Sequence, residues 1–228
     1  MAVNRSRIRW GLGGPLLMGL SAGAVALAMQ LSRGIVQPPP EIAERFRGLS
    51  PGNAPHSTGP QALPVLGEAP AFSLVDQAGR PFTRDDVRGR VWIADFIFTR
   101  CAGQCPLMSA AMARLSQALP DVWWVSFSLD PAHDSPVALA EYARAHHADP
   151  ARWRFATGGD GDAMRRWCQE GFKLSATEGG PTDEPIIHSR RFVLVDRQVR
   201  IRGYYDAGEP AGLAALQRAA RQLAHEAP

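Results

Sequence analysis

The chain's most direct chemistry lies in Cys101-Ala102-Gly103-Gln104-Cys105-Pro106, with His188 far downstream. Two thiols this close can form a disulfide, attack one, or hold a thiophilic metal. His188 discriminates among these, because thiol exchange needs only the pair whereas a metal gains from a third donor. Two thiolates and an imidazole suit Cu(I), which is soft and accepts low coordination numbers. A tetrahedral zinc site would want a fourth ligand. Pro106 lacks an amide hydrogen and belongs in or just before the first turn of a helix. A helix is therefore expected to start near Cys105, with both sulfurs at its positive end, where thiolates are favoured.

The elements that must position these groups follow from the patterning. Val91 to Phe98 is an apolar run suited to a central strand, and the dithiol follows its end. Residues 72–76 and 81–83 read as short strands around the Gln77-Ala78-Gly79-Arg80 turn. Met108 to Leu119 has helical spacing, and Val122 to Leu129 is another buried-type strand. Ser135-Pro136 caps and opens a helix reaching about His146. A short strand at 153–155, a helix over 160–171, a hairpin of 191–196 with 200–204, and a helix from Pro210 to Glu226 complete the pattern. Strands alternating with helices, then a hairpin and helix, imply an α/β fold: a mixed sheet flanked by helices. Open α/β sheets place their chemistry outside the carboxyl ends of central strands, where the dithiol falls.

Composition places these elements in one exported domain. The chain has 228 residues, is 45% hydrophobic and carries a net charge of +3, with Lys173 its only lysine. No basic stripe interleaved with aromatics points to nucleic acid. Arg5, Arg7 and Arg9 precede an uncharged stretch from Trp10 to Leu31 closed by Arg33. Such a segment can span a bilayer with its leading end in the cytoplasm. Ala26-Leu27-Ala28 would also serve a signal peptidase. The length and glycine interruptions favour an uncleaved anchor over residues 1–33, and no cysteine near its end invites lipidation. Residues 34–66, with Pro38-Pro39-Pro40 and Pro51-Gly52, read as a proline-rich tether with a solvated His56. Residues 67–228 form the domain. Outside the cytoplasm a dithiol tends to oxidise, so a kept pair belongs to a structural disulfide or to a maintained redox or metal system.

The run Phe96-Ile97-Phe98-Thr99-Arg100-Cys101-x-x-x-Cys105-Pro106-Leu107-Met108 resembles the core motif of the Sco/SenC family of thioredoxin-like copper proteins. So do residues 128–136 (Ser-Leu-Asp-Pro-Ala-His-Asp-Ser-Pro), His188-Ser189-Arg190-Arg191-Phe192, and residues 200–206. The likeness runs in order from about Ala69 to Ala220. It implies a thioredoxin-like fold with Cys101, Cys105 and His188 as ligands of copper, Cu(I) or Cu(II). It further implies a single-pass inner-membrane metallochaperone facing the periplasm, which helps assemble the binuclear copper centre of cytochrome c oxidase. Its expected partners are the copper-bearing subunit of that oxidase or another exported copper carrier. Turnover catalysis is not required by this reading. Three departures stand out: Ala102 and Gln104 between the cysteines, Val199 where the hairpin usually has glycine, and the additional Cys168. A valine is costly at positive φ, so a different turn is expected there.

The alternative from another class is a thiol-disulfide oxidoreductase acting on cysteines of an exported partner. There Cys101 and Cys105 would be the attacking and resolving thiols, and His188 would be dispensable. Around the motif, Asp130 and Asp134 read as caps of the loop and the following helix. Cys168 reads as a small buried hydrophobe, and His133, His146 and His147 as solvated groups at helix ends. The aromatics Trp92, Phe96, Phe98, Trp123, Trp124 and Phe127 read as sheet core or face.

Overall fold

The structure, a computed structural model, describes residues 62–182 and 185–226. The expected anchor, His56 and most of the tether lie outside the described residues. Among the described residues, no helix is long and apolar enough to cross a membrane.

Ten strands and four α-helices follow in the order β1 (Gly67–Glu68), β2 (Ser73–Asp76), β3 (Pro81–Thr83), a 3-10 turn (Arg84–Val87), β4 (Trp92–Ile97), α1 (Gln104–Ala118), β5 (Trp123–Ser128), α2 (Pro136–Ala145), β6 (Trp153–Thr157), α3 (Gly161–Gly171), β7 (Ala176–Glu178), β8 (Ile186–His188), β9 (Arg191–Val195), β10 (Arg200–Asp206) and α4 (Pro210–His225). Eight strands form one mixed sheet in the order β1-β10-β9-β4-β5-β6-β2-β3, and β7 pairs with β8 in a separate ribbon. Strands β4, β5 and β6 are parallel, with Trp92 opposite Trp123 and Trp124 opposite Trp153, while β9 and β2 flank them antiparallel. This is the mixed α/β arrangement expected of a thioredoxin-like domain.

All six residues of β4 are buried, as a central strand covered on both faces requires. Trp92, Phe96, Phe98, Phe127, Phe155 and Phe172 fill the core around it. Phe96 and Phe172 meet edge to face at 5.2 Å, whereas Phe96 stacks on Phe127 at 5.6 Å. Asp95 is the exception inside this strand: it is fully buried, and neither carboxyl oxygen has a partner at hydrogen-bonding distance. Burial pushes its pKa up to about 7, opposed in part by its cross-strand neighbour Ser126.

Two turns share one construction. Asp76 Oδ1 accepts the amides of Ala78 and Arg80, and Asp196 Oδ1 accepts those of Gln198 and Arg200. In each, the arginine returns its guanidinium to the same aspartate's Oδ2. The fourth residue takes positive φ in both, 73° at Gly79 and 59° at Val199. The different turn expected at Val199 is therefore not what forms. Val199 adopts the left-handed backbone, and its buried side chain and the Asp196 bonds offset the strain.

Candidate metal centre

The loop after β4 brings the first cysteine to the mouth of α1. Cys101 precedes the helix, whose N-cap is Gly103, so only Cys105 lies in its first turn. The Cys105 amide donates to Cys101 Sγ at 3.4 Å, which places that sulfur where a capping side chain would sit. The hydrogen bond from the Cys105 thiol, with nearby amides of the helix start, lowers the Cys101 pKa to about 6 although burial opposes this. Cys105 moves the other way: its engagement with Cys101 and its own burial push its thiol far up. The expectation that the helix start favours both thiolates is thus met at Cys101 alone, because two adjacent sulfurs do not both ionise in a dry site.

His188 comes from β8, opposite Ala176 of β7. Its Nε2 stands 3.2 Å from Cys105 Sγ, and its Nδ1 lies 3.1 Å from the Ser189 carbonyl. A carbonyl only accepts, so the ring proton belongs on Nδ1 and Nε2 presents its lone pair to the thiol. The edge of Phe98 packs against the imidazole at 5.9 Å between ring centroids. Cys101, Gln104, Ile186, Ile187 and His188 line a cavity of about 50 Å³, room for an ion rather than an organic substrate. All three cysteines are thiols. Among the described residues, no three His, Cys, Asp or Glu side chains already stand as metal ligands. The three donors would therefore shift from hydrogen-bonding to coordinating positions around a metal.

Asp130 and Asp134 do more than cap a loop, and neither caps α2, whose N-cap is Ser135 accepting from Ala138. Asp134 accepts from the Thr99 amide, the Thr99 hydroxyl at 2.6 Å and the Ser128 hydroxyl at 2.6 Å. It thereby ties the cysteine loop to the end of β5. Burial raises its pKa, with Ser128 and Thr99 opposing. Burial alone would raise Asp130 too, but His133 and Arg100 hold its carboxyl below the usual range. Arg100 Nε donates to it at 2.6 Å. These ties were not foreseen from the sequence, although Thr99 and the aspartates stand inside the quoted motifs. Cys168 is buried as expected. His133 bonds Asp130 and the ring of His146 packs at a tilt against Tyr142, and they form no second cluster of donors among the described residues.

Comparison with known proteins places this arrangement. The SCO1/SenC family model matches residues 64–223. The chain is similar to the SCO1 protein homolog of Bacillus subtilis, 31% identical over 150 residues, covering 64% of this chain and 77% of that one. It is also similar to a protein of Stutzerimonas stutzeri named as copper-binding, 30% identical, with 71% and 79% covered. Among solved structures it resembles BsSco, described as a member of the Sco family of cytochrome c oxidase assembly proteins with a disulfide switch. That likeness has a TM-score of 0.64 and 28% identity, and covers 72% of this chain and 98% of the other.

Proposed function

The chain belongs to the SCO1/SenC family, and from that premise we propose that it is a copper metallochaperone held to the membrane by its N-terminal segment. Cys101, Cys105 and His188 bind one copper and pass it to the copper-bearing subunit of cytochrome c oxidase. Residues 1–33 form a single-pass inner-membrane anchor and 34–66 a proline-rich tether. Residues 67–228 form the copper-binding domain in the periplasm. The naming of the Stutzerimonas relative supports the metal, and the description of BsSco supports the oxidase.

The observation that carries the reading is the approach of His188 Nε2 to Cys105 Sγ with Cys101 on the same small cavity. Copper is the cargo here. The protein's part is to offer it two sulfurs and a neutral imidazole, and to accept the loss of the Cys105 proton as the metal enters. The Ser189 carbonyl keeps Nε2 unprotonated, so the ring needs no tautomer change before it ligates.

One observation favours a second reading. An acidic, slightly exposed Cys101 beside a buried Cys105 of raised pKa is the pairing of attacking and resolving thiols, as in a thiol-disulfide oxidoreductase. Anaerobic Cu(I) titration of the reduced chain separates the two readings. The chaperone reading expects one tightly bound copper, weakened severalfold or more by His188→Ala and unchanged by Cys168→Ser. A chain that ignores copper, yet reduces disulfides equally well with and without His188, would establish the oxidoreductase instead.

A further inference from the structure

At the other ends of the central strands, a cleft of about 350 Å³ is lined by Asp76, Arg80, Phe82, Arg90, Trp123 and Arg154. Strands β4 and β5 run in parallel from Trp92 and Trp123, whereas Cys101 follows the far end of β4. Six strand residues put the cleft roughly 20 Å from the cysteines. The site proposed above makes no use of it.

Two shared partners hold three guanidiniums around this cleft. Arg90 Cζ stands 3.9 Å from the Trp123 ring centre and Arg154 Cζ 5.4 Å from the same ring. Arg154 Nε and Arg80 Nη2 reach the same Asp76 Oδ2, at 3.8 and 2.8 Å. That carboxylate is fully engaged, since its other oxygen accepts the amides of Ala78 and Arg80. Arg154 also donates to the Pro150 carbonyl. Arg90 has no carboxylate partner among the described residues. The one further acid of the lining is Asp86, which accepts the amide and hydroxyl of Thr83 through one oxygen. Burial depresses the pKa of Arg154, and the charges of Arg80 and Arg90 add to this. Cations are thus gathered in excess of the acids that face them.

We propose that this cleft is a binding site for a phosphate-type oxyanion. Stacking on Trp123 holds the Arg90 fork with its N–H edge available. The Asp76 carboxylate is already taken up by Arg80 and Arg154, whereas an added tetrahedral oxyanion would bring terminal oxygens to the Arg90 fork within reach of the other two guanidiniums. The cleft's size admits a phosphoryl group with a small substituent and excludes a folded partner. The same chemistry is offered by free phosphate and by the phosphodiester of a lipid headgroup.

The test is titration of the full chain in detergent at low ionic strength, with inorganic phosphate in one arm and soluble glycerophosphoglycerol in the other, followed by ³¹P NMR and calorimetry. The expected result is one saturable site per chain, weakened about tenfold by Arg90→Gln, the loss of one charge-assisted pair. Arg90→Lys, which keeps the charge and loses the fork, falls between. Preference for the phosphodiester identifies the lipid headgroup, and preference for inorganic phosphate identifies the free anion. Unchanged thermal unfolding of the Arg90 variants shows that the fold is intact. No saturable binding in either arm, or equal binding by Arg90→Gln, overturns the proposal.

Discussion

Asp95 offers the sharpest test of the packing described above. Its carboxyl is fully buried in β4, without a hydrogen-bond partner at normal distance, and its pKa stands at about 7 against an ordinary 3.8. A carboxyl whose pKa rises on folding binds its proton more tightly in the native state, so stability falls as pH climbs from the unfolded to the folded value. A rise of that size corresponds to about 4 kcal/mol, of which about 2–3 kcal/mol accrues between pH 5 and pH 8. Asp95→Asn keeps the shape and removes the ionisation. Its buried amide costs about 1–3 kcal/mol of its own at every pH. The informative quantity is therefore the change with pH in the stability difference between the two proteins. Groups common to both, such as Cys101, largely cancel in that difference. Urea unfolding of the reduced proteins at pH 5, 6, 7 and 8 should show the variant gaining on the parent, steeply up to about pH 7 and levelling above it. A difference that stays flat from pH 5 to pH 8 would mean that the carboxyl finds solvation or a partner in the native state, and the reasoning would fail.

Other consequences are measured more simply. Iodoacetamide should modify Cys101 ahead of Cys105 and Cys168, with a rate that rises from pH 5 to pH 7 and then levels. Peptide mapping reads this directly, and equal labelling of Cys101 and Cys105 would contradict the assigned asymmetry. Asp134→Ala strands the Thr99 amide and hydroxyl and the Ser128 hydroxyl, a loss of about 2–4 kcal/mol in urea unfolding. Copper affinity should fall with it, because the cysteine loop loses its tie to β5. Gly79→Ala should cost about 1–2 kcal/mol from backbone strain alone, since an added Cβ meets nothing within 4 Å. A neutral result would show that this turn relaxes.

What the sequence made legible was local. The apolar run of β4, the Ser135-Pro136 cap, the β9–β10 hairpin and the final helix all form close to where patterning puts them, because each carries its own signal over several residues. The β7–β8 ribbon went unread. Its strands have three residues each and pair only with one another, too few to show alternation. Asp95 was hidden for the opposite reason, since one carboxyl inside an apolar run does not disturb the reading of a strand. At Val199 the expectation erred because φ is set there by Asp196 and by packing, and not by the preference of the residue itself.

The proposed metal donors divide along the same line. Cys101 and Cys105 are fixed by short-range structure, a loop and the first turn of α1, so their spacing alone announces a reactive pair. That pair is ambiguous between redox exchange and metal binding, and no local feature resolves it. The resolving contacts are long-range. Asp134 holds the loop from the β5–α2 connection 35 residues later, and His188 approaches Cys105 from 83 residues away. His188 reaches that point on the ribbon the sequence did not reveal, where the Ser189 carbonyl sets its tautomer. The discriminating residue for function therefore sits on an element with little propensity of its own, held by pairing with β7 and by packing against Phe98. Loosening that ribbon should leave the dithiol's redox chemistry in place while weakening the third donor. The oxidoreductase and chaperone readings can thus be separated physically as well as by substituting His188 itself.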